Sequence, residues 1–237
     1  MIVFILGLPG SGKSTAAHTI EEYVLKHYQG WSVVHISDYN ILKRMCYEEH
    51  DKRLHPIGNE AFDVVESSAF NSALKRLKDG IRESMKDASN SNQLIAVEFS
   101  RNDYIFALEE FFVEFLSDAN FIFIKAPISE CKFRIENRVK KRNRTEDDHY
   151  VSEFIFEQYY KEDQQDYRES IGKLLTEKYG ISNSCIQIIE DCGLTEDDFK
   201  EIKVSEAIKL ILLEHRILPS PEHIPSAKSE PVAALTQ

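Results

Sequence analysis

The chain has 237 residues, a length that fits one large domain or two small ones. Its 42% hydrophobic residues suffice for a core, and 40 acidic against 29 basic residues leave a formal net charge of -11. That balance argues against a general DNA-coating role, since an acidic surface repels a duplex phosphate backbone. No apolar run approaches the roughly 20 residues of a membrane span.

The apolar start Met1–Leu6 lacks a basic region, is too short for a signal peptide, and reads as a buried strand. Ile2–Leu6 is continuous and rich in β-branched residues, the pattern of a parallel strand covered on both faces. Apolar residues three and four apart predict a helix over Lys13–Tyr28, and Trp31–Ile36 is a second short strand. Tyr39–Cys46 suits a helix, whereas Tyr47–Asn59 is charged and irregular. Phe62, Val65, Ala69, Ala73, Leu77 and Ile81 predict one long amphipathic helix over Ala61–Met85. Leu94–Phe99 is a third strand, and Asp103 can cap a helix reaching about Leu116. Phe121–Ala126 is a fourth strand, followed by a helix from Ser129 to about Lys141 and a charged stretch, Lys140–His149. Ser152 can cap another long helix reaching about Tyr179, with Gly180 as its C-cap. Cys185–Ile189 is a fifth strand and Ser205–Leu213 a terminal apolar helix.

Five short apolar strands alternating with helices predict a parallel sheet of the α/β class. The segment from Pro219 to Gln237 carries four prolines and few large apolar residues, and reads as a disordered tail. The expected organisation is one domain over residues 1–216 and a tail over 217–237. Cys46, Cys131, Cys185 and Cys192 form no CxxC pair, and read as reduced thiols of a cytoplasmic protein.

The strongest motif is Gly7-Leu8-Pro9-Gly10-Ser11-Gly12-Lys13-Ser14-Thr15. It fits G-x-x-x-x-G-K-[ST], directly after a strand and at the start of a helix. Glycines let the backbone curl so that successive N–H groups point at one oxygen cluster, and the following helix turns its positive end to the same anion. Lys13 brings a point charge to the β and γ phosphates, and Ser14 offers a hydroxyl to Mg²⁺. The motif therefore predicts nucleotide binding with Mg²⁺.

With these residues the chain resembles the P-loop kinase group that includes adenylate kinase and small-molecule kinases such as gluconate and shikimate kinases. The resemblance implies a P-loop three-layer sandwich, with a five-stranded parallel sheet of order 2-3-1-4-5 and a helical lid, here at about residues 138–152. It also implies transfer of the γ-phosphoryl of ATP to an acceptor held opposite the loop. Ligands in such sheets lie beyond the carboxyl ends of the strands. Asp38, at the end of the second strand, is then a candidate to hold or deprotonate an acceptor hydroxyl, or simply a helix N-cap. Glu98, ending the third strand, can order Mg²⁺-bound water. Glu98-Phe99-Ser100-Arg101 loosely resembles the Asp-Gly-Phe-Pro-Arg run of adenylate kinases, which makes Arg101 a candidate grip on an acceptor phosphate or carboxylate. Its plainer reading is a surface residue paired with Asp103 or Glu109.

Arg134 and Arg138 are four apart, hence on one helical face, and Lys140, Lys141, Arg142 and Arg144 follow. Six cations in eleven residues of an acidic chain suit a lid over transferring phosphates, and Arg138 is the strongest candidate. Asp147 and Asp148 would organise the lid through Arg142 or Arg144, while Phe156 stands where adenylate kinases carry a further lid arginine. His149 is a candidate base but reads better as exposed, and Tyr159 and Tyr160 are candidates to stack on a nucleobase but read better as core packing. Glu190-Asp191-Cys192-Gly193 follows the fifth strand, where relatives hold adenine.

Three functions fit. The first is an ATP-dependent kinase acting on a small hydroxyl-bearing or nucleotide-like acceptor. Asp38 favours a hydroxyl, whereas Arg101 with Lys43 and Arg44 suits a phosphate. The second is a polynucleotide or RNA 5′-hydroxyl kinase using the Arg134–Arg144 strip as a strand guide, a reading disfavoured by the net charge. The third is a regulatory NTPase switch.

Overall fold

The computed structural model describes residues 1–58, 61–86, 92–111, 115–116, 119–140, 149–160, 170–191 and 193–219. In chain order the strands are β1 (Ile2–Gly7), β2 (Ser32–Ser37), β3 (Leu54–Gly58), β4 (Ala61–Val64), β5 (Gln93–Phe99), β6 (Ala119–Lys125) and β7 (Ile186–Glu190). Five of them form a parallel sheet in the order β2-β5-β1-β6-β7, and β3 pairs with β4 in an antiparallel hairpin. The numerals differ from the expected 2-3-1-4-5 because the hairpin takes two numbers between the second and third strands of the sheet.

β1 is central and buried at every position. Ile2, Phe4 and Leu6 face one core and Val3 and Ile5 the other, the period of two that a strand imposes. The helices are α1 (Lys13–His27), α2 (Asp38–Tyr47), α3 (Ser68–Lys86), α4 (Tyr104–Glu109), α5 (Ile128–Arg138), α6 (Glu153–Tyr159), α7 (Gly172–Tyr179) and α8 (Ser205–Glu214). α1 and α8 cover the Val3 and Ile5 face, through Ala16, Ile20, Val24, Ile208 and Ile211. α2 to α7 supply the opposite core, where Phe4 stacks on Phe121 at 5.4 Å and meets Phe111 edge-on at 5.0 Å. Helices on both faces of a parallel sheet give the expected three layers.

Three expected elements change. The helix foreseen over Ala61–Met85 begins only at Ser68. Ala61–Val64 instead pairs with Leu54–Gly58, inside the stretch read as irregular, because Phe62 is buried against α2 by the alternation of a strand. The helix capped by Asp103 ends at Glu109 rather than near Leu116. The helix capped by Ser152 stops at Tyr159, where Tyr160 leaves helical geometry at φ -126°, and α7 is separate. Cys46, Cys131 and Cys185 are buried and in no disulfide among the described residues. Residues 220–237 of the expected tail, Cys192, and residues 141–148 of the expected lid lie outside the described residues. Among the described residues no helix is long and apolar enough to cross a membrane.

The strand register positions the site. Ile5 lies opposite Glu98, Gly7 opposite Ile124, and Ser37 opposite Glu98. The carboxyl ends of β2, β5 and β1 therefore present Asp38, Glu98 and the loop after Gly7 at one edge.

Candidate active site

The loop after β1 is built by its neighbours as much as by its own sequence. Gly10 and Gly12 hold left-handed backbone, φ +81° and +98°, and a Cβ on Gly10 would sit 2.5 Å from the carbonyl oxygen of Cys131. Gly7 is clamped by Tyr104: its N–H donates to Tyr104 Oη, which donates back to the Gly7 carbonyl, both at 2.8 Å. Ser100 Oγ also donates to that carbonyl, at 2.9 Å. Lys13 is buried and its Nζ donates to the Leu8 carbonyl at 2.8 Å. Burial pushes the Lys13 pKa down, while the charges of Glu98 and Asp38 pull against that shift.

Both oxygens of Glu98 are engaged. Oε1 accepts from Ser14 Oγ at 3.0 Å, and Oε2 lies 3.0 Å from His35 Nε2. Burial alone would raise the Glu98 pKa, but the His35 hydrogen bond and the charge of Lys13 turn the shift downward and keep the carboxylate ionised. A hydroxyl and a carboxylate side by side fit the hard oxygen ligands of Mg²⁺. Among the described residues no group of three or more His, Cys, Asp or Glu surrounds a metal position. A magnesium ion on Ser14 and Glu98 would thus complete its shell with nucleotide phosphate and water, as this ion usually does.

Asp38 is the first residue of α2 and is 7% exposed. Ser37, not Asp38, occupies the N-cap position. The Asp38 carboxylate is ion-paired with Arg101 Nη1. Arg101 Nη1 also donates to the Ser100 carbonyl at 2.5 Å and Nη2 to the Phe70 carbonyl at 3.0 Å, and the guanidinium lies 4.8 Å over the Phe70 ring. Burial pushes the Asp38 pKa up, and Arg101 opposes it. Arg101 is therefore not a surface partner of Asp103 or Glu109. Asp103 accepts from the Phe106 N–H at 3.0 Å as the cap of α4, and Glu109 pairs with Lys178 at 2.8 Å.

On α5, Arg134 grips Asp191 through Nη1 and Nη2 at 2.6 and 3.2 Å and reaches Glu130 at 3.1 Å. Arg138 Nε donates to the His149 carbonyl at 2.8 Å, and its charge is felt by Lys13. His149 is half-buried, with its ring stacked on Tyr39 (3.4 Å between centroids, 13° between planes), so it is not the exposed residue expected from the sequence. Tyr39 in turn stacks on Phe62 at 5.6 Å. Tyr160 is buried as expected, its hydroxyl donating to the Ser100 carbonyl at 3.1 Å. Lys141, Arg142, Arg144, Asp147 and Asp148 lie outside the described residues.

A cleft of about 540 Å³ gathers Pro9, Gly10 and Gly12 to Thr15 of the loop with Asp38, Glu98, Arg134 and Arg138. Gly7, Ser11 and Arg101 do not line it; they pack behind its wall. Sequence reasoning missed His35, Tyr104 and the Asp191 partner of Arg134. The alternation of β2, which turns His35 and Ser37 to one face, was the available signal for His35. Nothing in the sequence marks Tyr104 as the clamp on Gly7.

The fold is shared with a gluconokinase from Sinorhizobium meliloti 1021 (13% identity, TM-score 0.51), over 90% of this chain and 95% of that one. It is shared equally with Kti12 of Chaetomium thermophilum, solved in complex with ADP-AlF3 (13% identity, TM-score 0.50), over 89% of this chain and 99% of that one. At such identities the likeness establishes the fold, that of the P-loop kinases, and nothing finer. No curated protein matches the chain significantly. Residues 6–152, more than half of the chain and spanning the phosphate loop, Asp38, Glu98 and α5, match the AAA domain profile, and the chain belongs to the AAA domain family.

Proposed function

We propose that the chain is an ATP-dependent phosphotransferase that moves the γ-phosphoryl of ATP to a hydroxyl of a small acceptor. The observation that carries this reading is Asp38, a buried carboxylate braced by Arg101 on the wall of the cleft that also holds Lys13. Such a group can orient an acceptor hydroxyl and take its proton as the oxygen attacks phosphorus, and its raised pKa makes it a better base than an exposed aspartate. Lys13 and Arg138 then offset the charge on the transferred phosphoryl, while Arg134, held by Asp191 and Glu130, braces α5. Ser14 and Glu98 would hold Mg²⁺, which supplies charge neutralisation on the phosphate oxygens when bound. Positioning and charge do most of the work in this chemistry.

The test is an ATP-consumption screen across nucleosides, nucleotides, sugars and short oligonucleotides, repeated with Asp38→Asn. An accelerating acceptor is expected, and the variant should lower kcat by about 10²–10⁴-fold with ATP binding retained. Full activity in the variant would overturn the role of Asp38.

A second reading is favoured by Kti12, which shares the fold as closely as the gluconokinase and was solved with ADP-AlF3. In that reading the chain is a nucleotide-dependent switch, and the same screen would show slow ATP loss that no acceptor accelerates.

A further inference from the structure

His35 does not line the cleft, yet its ring holds one oxygen of Glu98, which does. We propose that His35 is a positioning residue of the metal site: it fixes the Glu98 carboxylate so that the other oxygen stays beside the Ser14 hydroxyl, where Mg²⁺ would be received. The proposal rests on the assignment of Mg²⁺ to Ser14 and Glu98 made above. It does not depend on the acceptor, nor on whether the nucleotide serves transfer or a switch.

The first observation is placement. β2 alternates, so His35 shares a face with Val33, which packs against the core formed by Leu94, Ala96 and α1. An apolar side chain would extend that core, and the chain puts an imidazole there instead. The register sets His35 opposite Ala96 and Ser37 opposite Glu98, and Glu98 lies on the same face of β5 as Ala96. The imidazole also meets the His18 ring edge-on, at 5.7 Å between centroids and 79° between planes. His18 follows Ser14 by four residues, one turn along the same face of α1. His35 is thus set between the helix that carries Ser14 and the strand that carries Glu98.

The second observation is the division of the carboxylate. Oε2 faces His35 Nε2 and Oε1 accepts from Ser14 Oγ, each at 3.0 Å. An ionised carboxylate can only accept, so Nε2 carries the proton of the histidine contact. That bond restrains the last torsion of the glutamate and leaves Oε1 on the Ser14 side. Without it a competing attraction remains, because the charge of Lys13 also acts on Glu98. A Glu98 drawn toward Lys13 would leave the ion and engage the cation that faces the phosphates. Carboxylates that bind metals are ordinarily oriented by hydrogen bonds of this kind, and losing one costs roughly 10–100-fold in metal affinity.

The test measures ADP binding to the full chain by calorimetry, over a series of Mg²⁺ concentrations and with the metal chelated. His35→Phe keeps a ring against His18 and removes the donor. Its metal-free ADP affinity should be unchanged, which also shows that it folds, while the Mg²⁺ concentration for half-effect should rise about 10–100-fold. His35→Gln brings an amide nitrogen near the Nε2 position and should return the parent value. His35→Asn, whose amide falls short of Glu98, should not. In a Glu98→Gln background His35→Phe should add no further loss, because the histidine acts through that carboxylate. A parent-like Mg²⁺ response in His35→Phe would overturn the proposal, as would a loss of ADP affinity that is equal with and without the metal. If His35→Phe binds no ADP at all, the two amide variants decide, and equal Mg²⁺ responses from them overturn it. Glu98→Gln alone separates the two possible failures. If it keeps the parent's Mg²⁺ response, or the parent shows none, the metal assignment falls and the proposal falls with it. If it loses that response while His35→Phe keeps it, only the role of His35 is wrong.

Discussion

Asp38 and Arg101 are 63 residues apart in the chain, and the register of β2 on β5 brings them together. The rule that ligands sit beyond strand ends made Asp38, Glu98 and Arg101 legible as candidates. Their pairing was not legible, because a register is set by the whole sheet and leaves no local mark in the sequence. The pairing decides the chemistry. Burial alone raises the Asp38 pKa above the ordinary 3.8, and Arg101 limits the rise. A carboxyl that holds its proton more tightly when folded favours the fold most below pH 3.8, and that contribution declines as pH rises through its folded pKa. Glu98 has the opposite sign: its pKa is below the ordinary 4.5, so its contribution is present above that pH and is lost as pH falls through the folded value. Arg101→Met should therefore do two things. It should destabilise the protein by about 3–5 kcal/mol in urea denaturation, since a buried charge loses its partner. It should also move the acidic limb of the pH–rate profile upward, because Asp38 then ionises at higher pH. Adding Asp38→Asn should restore part of the stability and none of the activity. A double variant no more stable than Arg101→Met alone would argue that packing on Phe70, not charge pairing, is what Arg101 supplies.

At the scale of elements, the inner strands β1, β5 and β6 were readable because parallel strands buried on both faces are written as nearly unbroken apolar runs, while the half-buried edge strands β2 and β7 carry His35 and Gln187 within shorter ones. The β3–β4 hairpin was not, since Ala61–Val64 is only four residues long and its Phe62 also fits the helical spacing of Ala69, Ala73 and Leu77. The hairpin nevertheless supplies Phe62 and Val64 to the cleft. It is tied to α6 by Ser152, whose hydroxyl donates to Asp63 and also accepts from the Ile155 N–H at 3.3 Å, capping the helix. The two roles separate by mutation. Ser152→Ala removes cap and tie, whereas Asp63→Ala removes only the tie. Ser152→Ala should be the more destabilising by about 1 kcal/mol, the usual value of a lost N-cap, as read from denaturant midpoints. Both variants should raise the acceptor KM more than the ATP KM, since Phe62 and Val64 face the acceptor end. Equal stability of the two would show that the Ile155 bond contributes nothing as a cap.

For the molecule as a whole, the net charge of -11 coexists with two buried cations at the site, Lys13 and Arg101, of which Lys13 lines the cleft. Lys13 is 6% exposed and its pKa lies below the ordinary 10.5, mainly because burial penalises the ammonium. The sign follows from proton binding. In the window between the lowered folded value and 10.5 the unfolded chain holds a proton that the folded chain lacks, so stability rises with pH there. Below the lowered folded value the cost of burying the charge is fully present. On the phosphotransferase reading, a bound polyphosphate would offset that cost, placing anionic oxygens where Leu8 O is the acceptor now. Lys13→Met removes the charge and leaves an unbranched apolar side chain one atom shorter. Without nucleotide it should be as stable as the parent or more so, and its stability should no longer rise in that alkaline window. The parent with MgATP at about 100 times Kd should gain about 2.7 kcal/mol, by mass action alone. Lys13→Met should lose most of that gain together with ATP turnover. Denaturation curves with and without MgATP, run at neutral and alkaline pH, measure both effects on one variant. A nucleotide-free Lys13→Met that is markedly less stable than the parent would show that Lys13 holds the loop together through Leu8, and that the buried charge is structural before it is functional.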